Sequence, residues 1–212
     1  MRYLVVVMIL LVGCTSRPSE GYSVGNRLLE ERFDTSFAWE QAQMDEISLL
    51  VVDGVYEIRS NVNSYVNGFY RNDTFDNVVI DIQTQQVSSE DNNAYGVVCR
   101  GSVSQSRVTG YYFLIGGDGT YSIQKGQDDD LHPLVTWAHH GAIHEGEAYN
   151  QIRVICVDDY LALYVNDKFV ADVRDQTYKT GRIGVVAATA EDTIIQVRFD
   201  NLMVYEGILG GN

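Results

Sequence analysis

Positive charge is scarce in this chain of 212 residues: 15 Lys and Arg stand against 29 Asp and Glu, a formal net charge of −14. A phosphate backbone needs a basic face, so nucleic acid is excluded as a partner. No stretch keeps a sustained helical period, and neither an internal repeat nor a second domain is visible. Cysteine is limited to three residues and histidine to four, and no His-x-His or His-Glu-x-x-His spacing occurs. What remains is ordinary for a folded domain. Apolar residues make up 45% of the chain, which is too many for a disordered one, and the length allows one sizeable core. The acidity reads as a soluble exposed surface, or as a surface that takes up a divalent cation.

The N-terminus reads as an address. Arg2 precedes a continuous apolar run, Tyr3–Val12, too short to span a bilayer but suited to a signal-peptide core. Leu11-Val12-Gly13-Cys14 then resembles a bacterial lipobox, which implies cleavage after residue 13, acylation of Cys14, and an extracytoplasmic site on the cell membrane or outer membrane. The alternative is an ordinary secretory signal in which Cys14 is incidental. Residues 14–26 are polar, with Pro18, Gly21 and Gly25, and read as a flexible tether. The domain proper is expected over 27–207, with 208–212 as a tail. With Cys14 consumed by lipid, Cys99 and Cys156 remain, and two thiols in an exported chain read as one disulfide worth about 4 kcal/mol. Two buried free thiols are the alternative.

Strand signals fill the rest. Ile152–Val157, Tyr160–Val165 and Phe169–Val173 are β-branched or aromatic runs separated by Asp158-Asp159 and Asn166-Asp167, the pattern of antiparallel strands on tight turns. Asp53-Gly54, between Ile47–Val52 and Val55–Arg59, is the best hairpin signal. Val78, Ile80 and Ile82 alternate with Asp81 and Gln83, which predicts a strand with one wet face. Leu28–Phe33, Tyr65–Tyr70, Tyr95–Arg100, Tyr111–Ile115, Tyr121–Lys125, Arg182–Ala187 and Ile194–Tyr205 add further runs, whereas Gly126–Ala148 reads as a long, less regular segment. So many short strands with almost no helix predict an all-β antiparallel sandwich or barrel.

Several stretches carry a family resemblance. Phe199-Asp200-Asn201-Leu202-Met203-Val204 is similar to the closing strand of concanavalin A-like (laminin-G-like) jelly rolls, as is Leu163-Tyr164-Val165-Asn166, although Asp167 stands where the family usually has Gly. Gly96-Val97-Val98-Cys99-Arg100, Tyr112-Phe113-Leu114-Ile115 and Gly119-Thr120-Tyr121 resemble middle strands of such domains in bacterial surface lipoproteins. The resemblance spans roughly residues 28–206, touches 3-keto-disaccharide hydrolase-like domains, and implies a concanavalin A-like jelly roll. It says little about activity, because function resides in sites grafted onto a fold.

Candidate chemistry is sparse. Laminarinase-type relatives of the resemblance set two Glu four residues apart on one strand, around an Asp, as nucleophile and acid/base. The matching stretch is Val79-Ile80-Asp81-Ile82-Gln83, where only Asp81 survives, as a solvent-facing strand residue. That argues against this hydrolysis. His132, His139, His140 and His144 fall in one window beside acidic residues, as a metal site or a polar loop. Asp118, Asp128, Asp129 and Asp130 are candidate ligands for structural calcium, or solvated charges. Gly116-Gly117-Asp118-Gly119 joins two strands and reads as a turn. Tyr111, Tyr112, Tyr121, Trp137 and Tyr149 are the candidate ligand-binding rings, since such rings stack on sugars, with a core or strand-surface role as the alternative. The expected role is a lipid-anchored, non-catalytic module without a required cofactor. It would bind a glycan, an envelope polysaccharide or another protein. The alternatives are a glycoside-processing enzyme or a structural envelope protein.

Overall fold

The two-residue turns behave as their residues require. Asp53 and Gly54 take φ of 52° and 78°, and Asn166 and Asp167 take 50° and 61°. Left-handed backbone at both central positions matches the twist of a tight antiparallel hairpin, and Asp167 reaches it without the help of Gly. In the computed structural model, residues 17–35, 37–104, 107–128, 130–189 and 193–210 are described, and among them there is no helix. The strands in chain order are β1 (Tyr22–Glu31), β2 (Ala42–Gln43), β3 (Ile47–Val52), β4 (Val55–Ser60), β5 (Val66–Phe69), β6 (Val78–Gln86), β7 (Asn93–Ser104) and β8 (Arg107–Ile115). There follow β9 (Thr120–Gln127), β10 (Asp130–His139), β11 (Tyr149–Val157), β12 (Tyr160–Val165), β13 (Lys168–Arg174), β14 (Arg182–Thr189) and β15 (Ile195–Leu209).

They form two antiparallel sheets. A nine-stranded sheet runs β13-β12-β11-β6-β15-β4-β3-β2, with β1 on the second half of β15, and a six-stranded sheet runs β10-β9-β8-β7-β14-β5. Between them lies one core that includes Ile80, Val97, Phe113, Val154, Leu163, Val185 and Phe199, all fully buried. Each such side chain contributes about 1.5–3 kcal/mol on burial. Cys99 on β7 and Cys156 on β11 form a disulfide across this core, from one sheet to the other, with 57 residues of sequence separation.

Three boundaries differ from expectation. Tyr22–Asn26, read as tether, is the first half of β1, because its backbone pairs with β15 from Tyr22↔Leu209 onward. The same pairing takes Ile208 and Leu209 out of the expected tail and into β15. The irregular segment contains β10, an edge strand with exposed side chains at both parities and two register shifts against β9. Cys14 and Asp129 lie outside the described residues.

The nine-stranded sheet curls over its outer face. Tyr22 on β1 packs edge-on against Tyr164 on β12, with ring centroids 5.8 Å apart, and the backbone N–H and the hydroxyl of Ser19 both donate to Asp172 on β13 at 2.6 Å. These strands are far apart in the sheet order, so the N-terminal segment crosses from one side of the sheet to the other. Asp81 is not the wet residue expected. It faces Arg153 across β6 and β11, accepts from both Nε (2.6 Å) and Nη2 (2.9 Å), and this pairing raises the pKa of Arg153.

At one rim of the sandwich Arg100, with φ of 52°, turns its side chain inward and is 2% exposed. Its guanidinium donates to the carbonyls of Asp76 (3.0 Å), Asp158 (2.8 Å), Tyr178 (2.9 Å) and Cys156 (3.4 Å) and to Asn77 Oδ1 (3.1 Å). One cation thus gathers three other chain segments by neutral oxygens, five acceptors being what the planar fork can serve.

Candidate functional site

Outer faces of antiparallel sandwiches are usually wet, yet the outer face of the six-stranded sheet carries a second apolar layer. Val98, Leu114 and Val186 are fully buried and Tyr112 is 2% exposed, packed with Phe69, Tyr65 and Leu131. The sequence explains it: Tyr111–Ile115 is apolar at every position, so alternation sends Tyr111, Phe113 and Ile115 to the core and Tyr112 and Leu114 outward. Tyr65 covers Tyr112 edge-on at 6.4 Å. Burial raises the pKa of both hydroxyls, so both rings stay uncharged at neutral pH.

Two cavities open above this floor, and Tyr65 and Trp137 line both. One, of about 530 Å³, also has Ser64, Asn93, Asp118, Thr120 and Thr189 in its wall. The other, of about 450 Å³, has Gln124, Asp130, Leu131, Pro133 and Thr136. Trp137 owes its place to a register shift between Val135 and Ala138 in the β10–β9 ladder, the kind of bulge that re-aims a side chain. The bulge is held from β9: Ser122 Oγ donates to the Val135 carbonyl (2.7 Å) and Gln124 Nε2 donates to Ser122 Oγ (3.1 Å). Trp137 is 42% exposed, so its ring forms a wall with one side left to solvent.

The Gly116–Gly119 turn stiffens the first cavity. Asp118 Oδ1 accepts from the Thr120 N–H (3.0 Å) and hydroxyl (2.6 Å), and Gly119 takes φ of 81°. Asn93 Oδ1 accepts from the Gly117 N–H at 3.1 Å. The stretch is the turn that its sequence predicts, and Asp118 is its cap.

The five candidate rings separate. Trp137 lines both cavities, whereas Tyr112 lines neither and is buried against Tyr65. Tyr111 is fully buried on the core face, where its hydroxyl donates to Asp175 Oδ1 at 2.6 Å; burial and that carboxylate push its pKa up to about 12. Tyr121 packs edge-on with His140 at 6.1 Å and lies against the core. Tyr149 is 67% exposed and belongs to a different pocket of about 530 Å³, with Gln83, Thr84, His144, Asn150, Gln151 and Asn166. Tyr65 completes the groove and carried no signal of its own, since its place depends on the long-range pairing of β5 with β14.

Among the described residues no three His, Cys, Asp or Glu side chains gather as a metal site. Asp118 caps its turn, Asp128 occupies a left-handed turn position and Asp130 begins β10. Of the histidines, His140 Nδ1 accepts from the Ala142 N–H and His144 Nδ1 meets the Tyr149 carbonyl, while His132 and His139 lie exposed on β10. Among the described residues two carboxylates reach the groove, Asp118 in one cavity and Asp130 in the other.

Against known proteins, the family model of the 3-keto-alpha-glucoside-1,2-lyase-like domain matches residues 29–205. The chain belongs to this family. No curated protein matches it. Among solved structures, this lyase-like domain is similar to the carbohydrate binding module CBM66 from Bacillus subtilis, at 10% identity and a TM-score of 0.62, covering 81% of this chain and 97% of that one. A Bacillus subtilis protein with a galectin-like fold aligns at 10% identity and a TM-score of 0.68, over 89% of this chain and 99% of that one. The Bacillus licheniformis beta-glucanase aligns at 10% identity and a TM-score of 0.60, over 87% and 99%. These likenesses establish the jelly-roll fold of the lyase-like domain.

Proposed function

We propose that this lyase-like domain is a non-catalytic glycan-binding module, carried on an exported protein anchored through a lipid on Cys14. The observation that carries the reading is the groove on the outer face of the six-stranded sheet. Two aromatic rings stand over an apolar floor, and carboxamides and hydroxyls, with Asp118 and Asp130, surround them. Rings with apolar faces and polar edges suit sugars. Membership of a family described by its action on a glucoside and likeness to a carbohydrate binding module support a carbohydrate ligand. The stretch that would carry a glucanase acid pair holds Val79 and Gln83 in the Glu positions, and Asp81 is bound to Arg153. The test is a glycan-affinity measurement with the wild type and Trp137→Ala. Loss of such an aromatic contact costs more than about 2 kcal/mol, over tenfold in affinity. Full affinity in a folded Trp137→Ala protein would place the site elsewhere.

The family description favours one second reading. A 1,2-lyase acting on a 3-keto-glucoside removes the C2 proton beside the ketone and expels the C1 oxygen, which needs a base within hydrogen-bond reach of that proton. Among the described residues Asp118 and Asp130 are the carboxylates in the groove. Formation of an unsaturated product from a 3-keto-glucoside, abolished by Asp118→Asn or Asp130→Asn, would replace the binding role with this one.

A further inference from the structure

We infer, resting on the reading of the groove as a glycan site, that its ligand is an uncharged oligosaccharide of two or more sugar units lying across Tyr65 and Trp137. The two cavities share these rings, and each volume alone falls within the range that holds a small ligand. A single sugar would fill one side and leave the other face of the shared walls wet. A chain crossing the rings uses both.

The charge of the ligand follows from the walls. Among the described residues neither cavity has Lys, Arg or His in its lining, and each has one carboxylate. Lys125 follows Gln124 on β9. Alternation sends it away from the groove, where its Nζ meets Asp175 Oδ2 at 3.0 Å. A uronate or sulfated sugar would bring its charge beside Asp118 or Asp130 with no partner, and burying an unpaired charge is costly. The whole chain, at a formal −14, opposes it as well. Carboxamides and hydroxyls, by contrast, both donate and accept, as sugar hydroxyls do. The groove offers Asn93, Gln124, Ser64, Thr120, Thr136 and Thr189.

The experiment measures affinity of the full-length protein for cello-, laminari- and malto-oligosaccharides of increasing length, each beside its C6-carboxylated counterpart, at low and high salt. The expected result is a rise of at least tenfold from the monosaccharide to the oligomers of the preferred linkage. The carboxylated counterparts should bind at least tenfold more weakly at low salt, with a gap that narrows as salt is added. Trp137→Ala, at an exposed ring, should erase the length dependence. Carboxylated ligands that bind as tightly as neutral ones, and are lost in Trp137→Ala, would overturn the inference about charge and leave the groove as the site. A monosaccharide that binds as well as its oligomers would overturn the inference about length. Binding that survives in folded Trp137→Ala and Tyr65→Ala variants, or no binding by any of these ligands, would overturn the groove reading itself.

Discussion

Replacing Arg100 by Met keeps most of the side-chain stem and removes the guanidinium. Four carbonyls then lose this donor at a position that is 2% exposed, while Asn77 Oδ1 keeps the Asp158 N–H at 2.8 Å. Hydrogen bonds to a charged group are worth about 1.5–3 kcal/mol each, but five made by one group are not additive. Asp158, Asp76 and Asn77 also line a pocket of about 450 Å³ beside the guanidinium, so water can reach part of the vacated set. Leaving a buried polar group unsatisfied costs about 1–3 kcal/mol, and with partial access of water to the set the total is roughly 3 kcal/mol. For a domain of this size each kcal/mol moves Tm by about 2–4 °C, so Arg100→Met should melt roughly 6–12 °C below the wild type. Urea titration should show a lower midpoint at unchanged slope. Arg100→Lys restores the charge but not the fork, and should recover only part of the loss. A shift below about 2 °C in Arg100→Met would refute the claim that this cation ties the rim together.

Reduction of Cys99–Cys156 releases a 57-residue separation and should cost about 4 kcal/mol in the chain-entropy model; two reactive thiols in the unfolded, unreduced protein would contradict the bond. Asp175 is held well below the usual carboxylate range: burial alone would raise it, but hydrogen bonds from Thr177, Tyr111 and Lys125 outweigh that. A depressed folded pKa gives stability that is complete above the unfolded value near 4 and is lost as pH falls through the folded one. Asp175→Asn should therefore be less stable than the wild type at pH 7, with the difference shrinking below about pH 4; a difference that grows in acid would contradict the assignment. Cys14→Ala should release the protein from the membrane fraction, and an unmodified Cys14 in membrane-bound wild type would defeat the anchor.

The sequence exposed those parts of the fold that rest on local rules. Asp53-Gly54 and Asn166-Asp167 announced their turns because few residues accept left-handed backbone, and Val78, Ile80 and Ile82 announced β6 by alternation. β10 escaped because an edge strand needs no buried parity; Pro133 and two register shifts blur it further. The first half of β1 escaped because its ladder to β15 is backbone pairing, which any residue but proline can make. The candidate site was half visible. Alternation separates Tyr111 from Tyr112, and their pairing decides which one faces the core: Tyr111 sits opposite Cys99, whose disulfide fixes that face inward. Tyr65 could not be placed, since nothing local pairs β5 with β14.

The crossing of the N-terminal segment over the nine-stranded sheet has a mechanical consequence. A pull on the chain before Ser19 would, without that crossing, load β1 at Tyr22↔Leu209 and unzip it from β15 one pair at a time, the weakest way to open a ladder. Instead the load first meets the bonds from Ser19 to Asp172 and the ion pair of Glu20 with Arg174. Both partners sit on β13, so tension is handed sideways into the β12–β13 hairpin before β1 feels it. The resistance of the domain to being peeled by its leading end is therefore set by two side chains on an edge strand.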